Sequence, residues 1–79
     1  MRLDKYLKIS RIIKRRTIAN QLCDAKHVNV NGKVARASYE VKANDVIEIQ
    51  QGPHLRRFQV LSIAEHATKE NAGELFRVL

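Results

Sequence analysis

A chain of 79 residues has room for one small domain, and folding at that size removes only about 60% of the unfolded chain's surface from water. Four aromatic residues (Tyr6, Tyr39, Phe58 and Phe76) and no Trp leave Leu, Ile, Val and Ala to build the core. The lone Cys23 excludes an internal disulfide. The apolar runs are far shorter than the ~20 residues a membrane helix needs, and no apolar stretch of secretory-signal length opens the chain. The expected setting is a reducing cytoplasm.

The net charge of +7 is unevenly placed. Residues 1 to 16 hold Arg2, Lys5, Lys8, Arg11, Lys14, Arg15 and Arg16 against the single acid Asp4, so nearly all the excess sits at one end. Such crowding carries self-repulsion, which a phosphate backbone relieves by neutralisation and counterion release. A merely solvated basic arm is the simpler alternative. Apolar residues interleaved with the cations argue against it.

In chain order, Leu3, Tyr6 and Leu7 recur at helical spacing while Arg2, Lys5 and Lys8 fall on another face, which predicts an amphipathic first helix. Ser10 interrupts the pattern, and Ile12 and Ile13 anchor the basic connection that ends in Lys14, Arg15 and Arg16. Thr17 is the expected N-cap of a second helix over about Ile18 to Ala25, packing through Ile18, Leu22 and Ala25 with Ala19 and Cys23 adjoining.

Val28 to Val34 then switches to period two around Asn31-Gly32, a hairpin signal because both turn positions accept positive φ. Further strands are expected at Val46 to Ile49, after the turn Ala43-Asn44-Asp45, and at Arg57 to Ile63, after Gly52-Pro53. Residues 68 to 77 suit a short terminal helix capped by Thr68 and weakened by Gly73. The fold class is α+β, two N-terminal helices packed on a small antiparallel sheet. A single domain over residues 1–79 is expected.

The ordered set Arg2-Leu3-Asp4-x-x-Leu7, Ser10-Arg11, Ala19-x-x-Leu22 and Val28-x-Val30-Asn31-Gly32 resembles the ribosomal S-four type RNA-binding domain, or αL motif, with Val46 to Ile49 as its closing strand. One departure is Lys26, which stands where that pattern usually has Gly; it must accept a left-handed conformation or end the helix differently. The stretch from Met1 to Thr17 is also similar to the small stand-alone bacterial proteins of the RqcP (YabO) family, a resemblance that would cover essentially the whole chain and implies an αL core over about residues 1–50 with a family-specific extension over about residues 51–79.

That resemblance implies binding to a large ribosomal subunit obstructed by peptidyl-tRNA. The contacts would be large-subunit ribosomal RNA and the peptidyl-site tRNA, in support of RqcH as it adds an alanine tail. By resemblance Arg2 and Arg16 are the leading contacts, with Lys5, Lys8, Arg11, Lys14 and Arg15 around them.

Arginine offers phosphate a planar fork and lysine a point charge. Lys33 and Arg36, next to the hairpin, are secondary candidates, although exposed strand charges look the same in sequence. Asn31 and Gly32 are better explained by the turn, Tyr6 by the core, and Cys23 by packing. Asp4 reads as a capping or orienting residue in the first helical turn rather than a catalytic acid. His27, His54, His66 and Cys23 lack zinc-site spacing, so neither metal nor cofactor is expected. The competing readings are an RNA-binding appendage of an RNA-modifying enzyme, for which the chain shows no second domain, and a basic module for an acidic protein partner.

Overall fold

The computed structural model describes residues 1–63 and 74–79. Helix α1 spans Leu3–Ile9 and α2 spans Arg16–Asp24, followed by strands β1 (Val28–Val30), β2 (Lys33–Val34), β3 (Val46–Gln51), β4 (His54–Val60) and β5 (Phe76–Val78). The five strands form one antiparallel sheet in the order β2-β1-β3-β4-β5. The α+β class and the helices-on-sheet arrangement are as expected.

One sheet face carries Val28, Val30, Ile47, Ile49, Phe58 and Val60, all buried. Their alternation along the strands is the period of two that a half-buried sheet requires. The helical residues Leu3, Tyr6, Leu7, Ala19 and Cys23 join them in one cluster with Ile12 and Ile13 of the connection. Removing such apolar surface from water contributes about 25 cal/mol per Å². The fully buried Tyr6 also donates from its hydroxyl to the Leu75 carbonyl at 2.6 Å, tying α1 to the start of the last strand.

Both hairpins turn where residue chemistry permits. Asn31 and Gly32 have φ of 53° and 84°, the paired positive values of a type I′ turn. Gly52, at φ 59° before Pro53, has the II′ pattern and joins β3 to β4 in the register Gln51 to His54. Asn31 does more than turn. Its side-chain carbonyl accepts from the Val46 amide at 2.9 Å and its Nδ2 donates to Asp45 at 3.0 Å, locking the hairpin to β3.

Several expectations are corrected. Helix α2 begins at Arg16, with extended Arg15 as N-cap and no capping side chain, so Thr17 lies inside it. Its buried stripe is Ala19 and Cys23, flanked by half-buried Leu22, whereas Ile18 and Ala25 are exposed. Small residues at that i, i+4 pair suit a close approach to α1, which rotates the larger Ile18 out. Strand β4 starts at His54 rather than Arg57 and ends at Val60. Phe76 and Arg77, assigned to a terminal helix, pair with β4 as strand, and Phe76 meets Phe58 edge to face at a 5.4 Å centroid distance. Residues 68–73 of that expected helix lie outside the described residues, and the buried Leu75 leads into β5.

Candidate nucleic-acid interface

Arg2 is presented from a fixed backbone. The Leu3 amide donates to the Tyr39 carbonyl at 2.8 Å and the Asp4 amide to the Ala37 carbonyl at 3.2 Å, while the Arg2 backbone forms an isolated antiparallel β-bridge with Glu40. The Asp4 side chain is 3% exposed and gathers the surrounding cations. Arg2 Nε donates to its Oδ1 at 3.1 Å, Arg16 Nε lies 3.3 Å from its Oδ2, and Asn20 Nδ2 donates to Oδ2 at 3.3 Å. Asp4 also accepts from the Lys5 amide at 2.8 Å, satisfying one of the unpaired donors of the first helical turn.

Burial alone would raise the Asp4 pKa. The hydrogen bonds from Arg2, Arg16 and Asn20, with the charge of Arg16, outweigh it and hold the carboxyl below its ordinary value. The two arginines are therefore oriented by an ionised acid, yet remain 50% and 48% exposed.

A groove beside this cluster is lined by Arg2, Asn20, Lys26, Arg36 and Ser38 among others. Lys26 adopts φ 64°, so the lysine does accept the left-handed conformation. The Lys26 amide bonds the Cys23 carbonyl at 3.0 Å and the His27 amide the Leu22 carbonyl at 2.9 Å, a Schellman closure of α2 without glycine.

A second basic surface combines Lys8, Arg11 and Lys14 around one depression. Arg11 ends α1 with φ 64°, another left-handed cation, and its amide bonds the Lys8 carbonyl at 3.1 Å. Lys14 and Arg15 continue towards the start of α2, whose first turn holds no acid. Cations there oppose the helix dipole, a cost that bound phosphate would relieve. Lys5 is half-buried on α1, and Lys33 lines a separate depression with Tyr39 that none of the helical cations borders.

Residues 1–47 match the model of the S4 domain family, more than half of the chain. The chain belongs to the S4 domain family. It is 44% identical to the RQC P-site tRNA stabilizing factor of Streptococcus pneumoniae, over 100% of this chain and 90% of that protein. It is 44% identical to the protein of the same name in Halalkalibacterium halodurans, over 99% and 89%. The structure of Vibrio cholerae heat shock protein 15 superposes with a TM-score of 0.90 at 28% identity, covering 100% of this chain and 81% of that one.

Within the S4 domain segment lie all nine residues singled out from sequence, and the structure sorts them. Arg2 and Arg16 meet at Asp4, Arg36 joins Arg2 across the groove, and Lys8, Arg11 and Lys14 form the second surface. Three further residues were missed. Asn20 is distant from Asp4 in sequence, and Arg56, which lines a depression with Lys14 and Arg15, lies beyond the S4 segment. Lys26 had a signal, its place at a glycine position, which was read as a boundary problem rather than a surface cation. No three His, Cys, Asp or Glu residues suited to a metal come together among the described residues, nor is any described helix long and apolar enough to cross a membrane.

Proposed function

We propose that this chain is a non-catalytic, cytoplasmic RNA-binding factor of the large ribosomal subunit. It engages large-subunit ribosomal RNA and the peptidyl-site tRNA, as the names of its relatives suggest for tRNA, and supports RqcH-dependent alanine tailing of stalled chains. The whole chain acts as one unit, with Arg2, Arg16 and the Lys8–Arg11–Lys14 surface as its phosphate contacts and Lys5, Arg15, Lys33 and Arg36 at the margins.

The observation that carries the reading is the Arg2–Asp4–Arg16 cluster. A buried acid fixing two half-exposed guanidiniums gives a rigid pair of forks, suited to recognising the shape of a folded RNA backbone rather than base edges. A disordered basic tail binds without such geometry.

The test is sedimentation of tagged protein from translating lysate on a sucrose gradient at two salt concentrations, with sequencing of recovered RNA. Co-migration with free large subunits and tRNA, weakened by salt, is expected. Arg2→Ala and Arg16→Ala should lose that co-migration while remaining folded. Protein found only at the top of the gradient and RNA-free at low salt would favour a basic protein-interaction module instead.

A further inference from the structure

The β3–β4 hairpin carries a cation from the C-terminal half of the chain to the turn between the helices. Register pairs Arg56 with Ile49, so Arg56 shares the sheet face of the core rather than the outer face. Just beyond the edge of that core it lines a pocket of about 300 Å³ with Ile13, Lys14, Arg15, Ile18 and Gln51. Its guanidinium carbon lies 5.1 Å from the Phe58 ring centroid, and its Nη1 donates to Gln51 Oε1 at 3.2 Å, so the head group is held from two sides.

The pocket is chemically mixed in a specific way. Ile13 is buried, while Ile18 is 40% exposed despite its apolar side chain. Around them stand three cations, Lys14, Arg15 and Arg56, with no carboxylate among the described residues of the lining. An apolar seat whose described charged residues are all positive suits a ligand with a flat, weakly polar body and an attached anion.

We propose that this pocket takes a single unstacked nucleotide of the bound RNA, its base against Ile18 and the guanidinium of Arg56, its phosphate at Lys14 and Arg15. Splayed bases are read in this way, by stacking on aromatic or guanidinium planes. The proposal rests on the RNA-binding reading above and adds a point of nucleotide selection to a surface otherwise suited to shape. An acidic peptide satisfies the charges and the guanidinium edge but leaves the guanidinium face and Ile18 without a flat apolar partner.

The experiment measures binding of the full chain, by fluorescence anisotropy, to an RNA hairpin with a one-nucleotide bulge and to the same hairpin with an abasic bulge. Wild type should prefer the bulged hairpin by roughly fivefold to tenfold. Arg56→Gln and Ile18→Ser, each checked for folding by circular dichroism, should lose that preference, whereas Arg2→Ala should weaken both hairpins alike and keep it.

Equal binding of both hairpins by wild type, or a preference that survives both pocket variants, overturns the nucleotide seat while leaving RNA binding intact. Absence of salt-dependent binding to either hairpin overturns the underlying RNA reading as well. Shifts of the Ile13 and Ile18 methyl resonances with a glutamate-rich peptide but not with the bulged hairpin would assign the pocket to a protein partner and also overturn the proposal.

Discussion

Arg16 Nε lies 3.3 Å from Asp4 Oδ2, joining the first turn of α2 to the first turn of α1. Asp4 is the only acid among the first sixteen residues, and it is spent inside the basic surface rather than diluting it from outside. The ion pair is half in solvent on the arginine side, so its value is directional more than energetic.

Asp4→Asn separates orientation from charge. The variant gains one positive charge, which by electrostatics alone raises RNA affinity. If Arg2 and Arg16 act through their fixed geometry, ribosome association falls instead, even as binding to unrelated RNA rises. Gradient sedimentation beside filter binding to random RNA distinguishes the two.

Acid stability follows from the same residue. Its folded pKa is lowered, so the stabilisation is present above the ordinary carboxylate value and is lost as pH falls through the folded value. Wild type should hold its melting temperature from neutrality to about pH 4 and lose it below, and Asp4→Asn should flatten that acid limb. Thermal melts across pH 2 to 7 read it directly.

The left-handed cations Arg11 and Lys26 predict a trade between stability and binding. A non-glycine residue at positive φ costs of order 1–2 kcal/mol, which glycine avoids at the end of a helix. Arg11→Gly and Lys26→Gly should therefore raise the unfolding free energy by about 1 kcal/mol while reducing the salt dependence of RNA binding by about one charge each. Denaturant titration and a salt series check both sides, and a loss of stability would show that the side chains support the fold.

Burial pushes the Tyr6 hydroxyl up to about 12 and the Cys23 thiol up to about 11, the latter with help from the charges of Asp4 and Asp24. Raised folded pKa values mean stabilisation that is complete below the unfolded values and disappears as pH rises through the folded ones. Stability should fall between about pH 9 and pH 12, and Cys23 should react with iodoacetamide at neutral pH only on unfolding. Tyr6→Phe, which leaves the Leu75 carbonyl one donor short, should cost about 1 kcal/mol in urea titration.

Much of the fold was legible because its signals are short. Leu3, Tyr6 and Leu7 announce α1 within five residues, Asn31-Gly32 sets its turn through φ alone, and charge counting finds the basic end. The face of α2 was not legible, because exposing Ile18 in favour of Ala19 and Cys23 depends on how closely a second helix approaches. Strand β5 was misread because Phe76 to Val78 takes its hydrogen bonds from β4, and three residues carry too little periodicity to declare a strand.

The candidate site divides along the same line. Sequence by itself determined which residues are cationic and which of them sit on an amphipathic helix, since both are written in composition and local spacing, and its ordered motifs carried the family resemblance that the S4 domain match bears out. Only the tertiary structure decided that Asp4 orients Arg2 and Arg16 together, that Lys26 faces the same groove as Arg36, and that Arg56 reaches the turn between the helices. Those relations depend on helix crossing and strand register, which place residues far apart in the chain within a few ångströms and leave no mark in the sequence around any one of them.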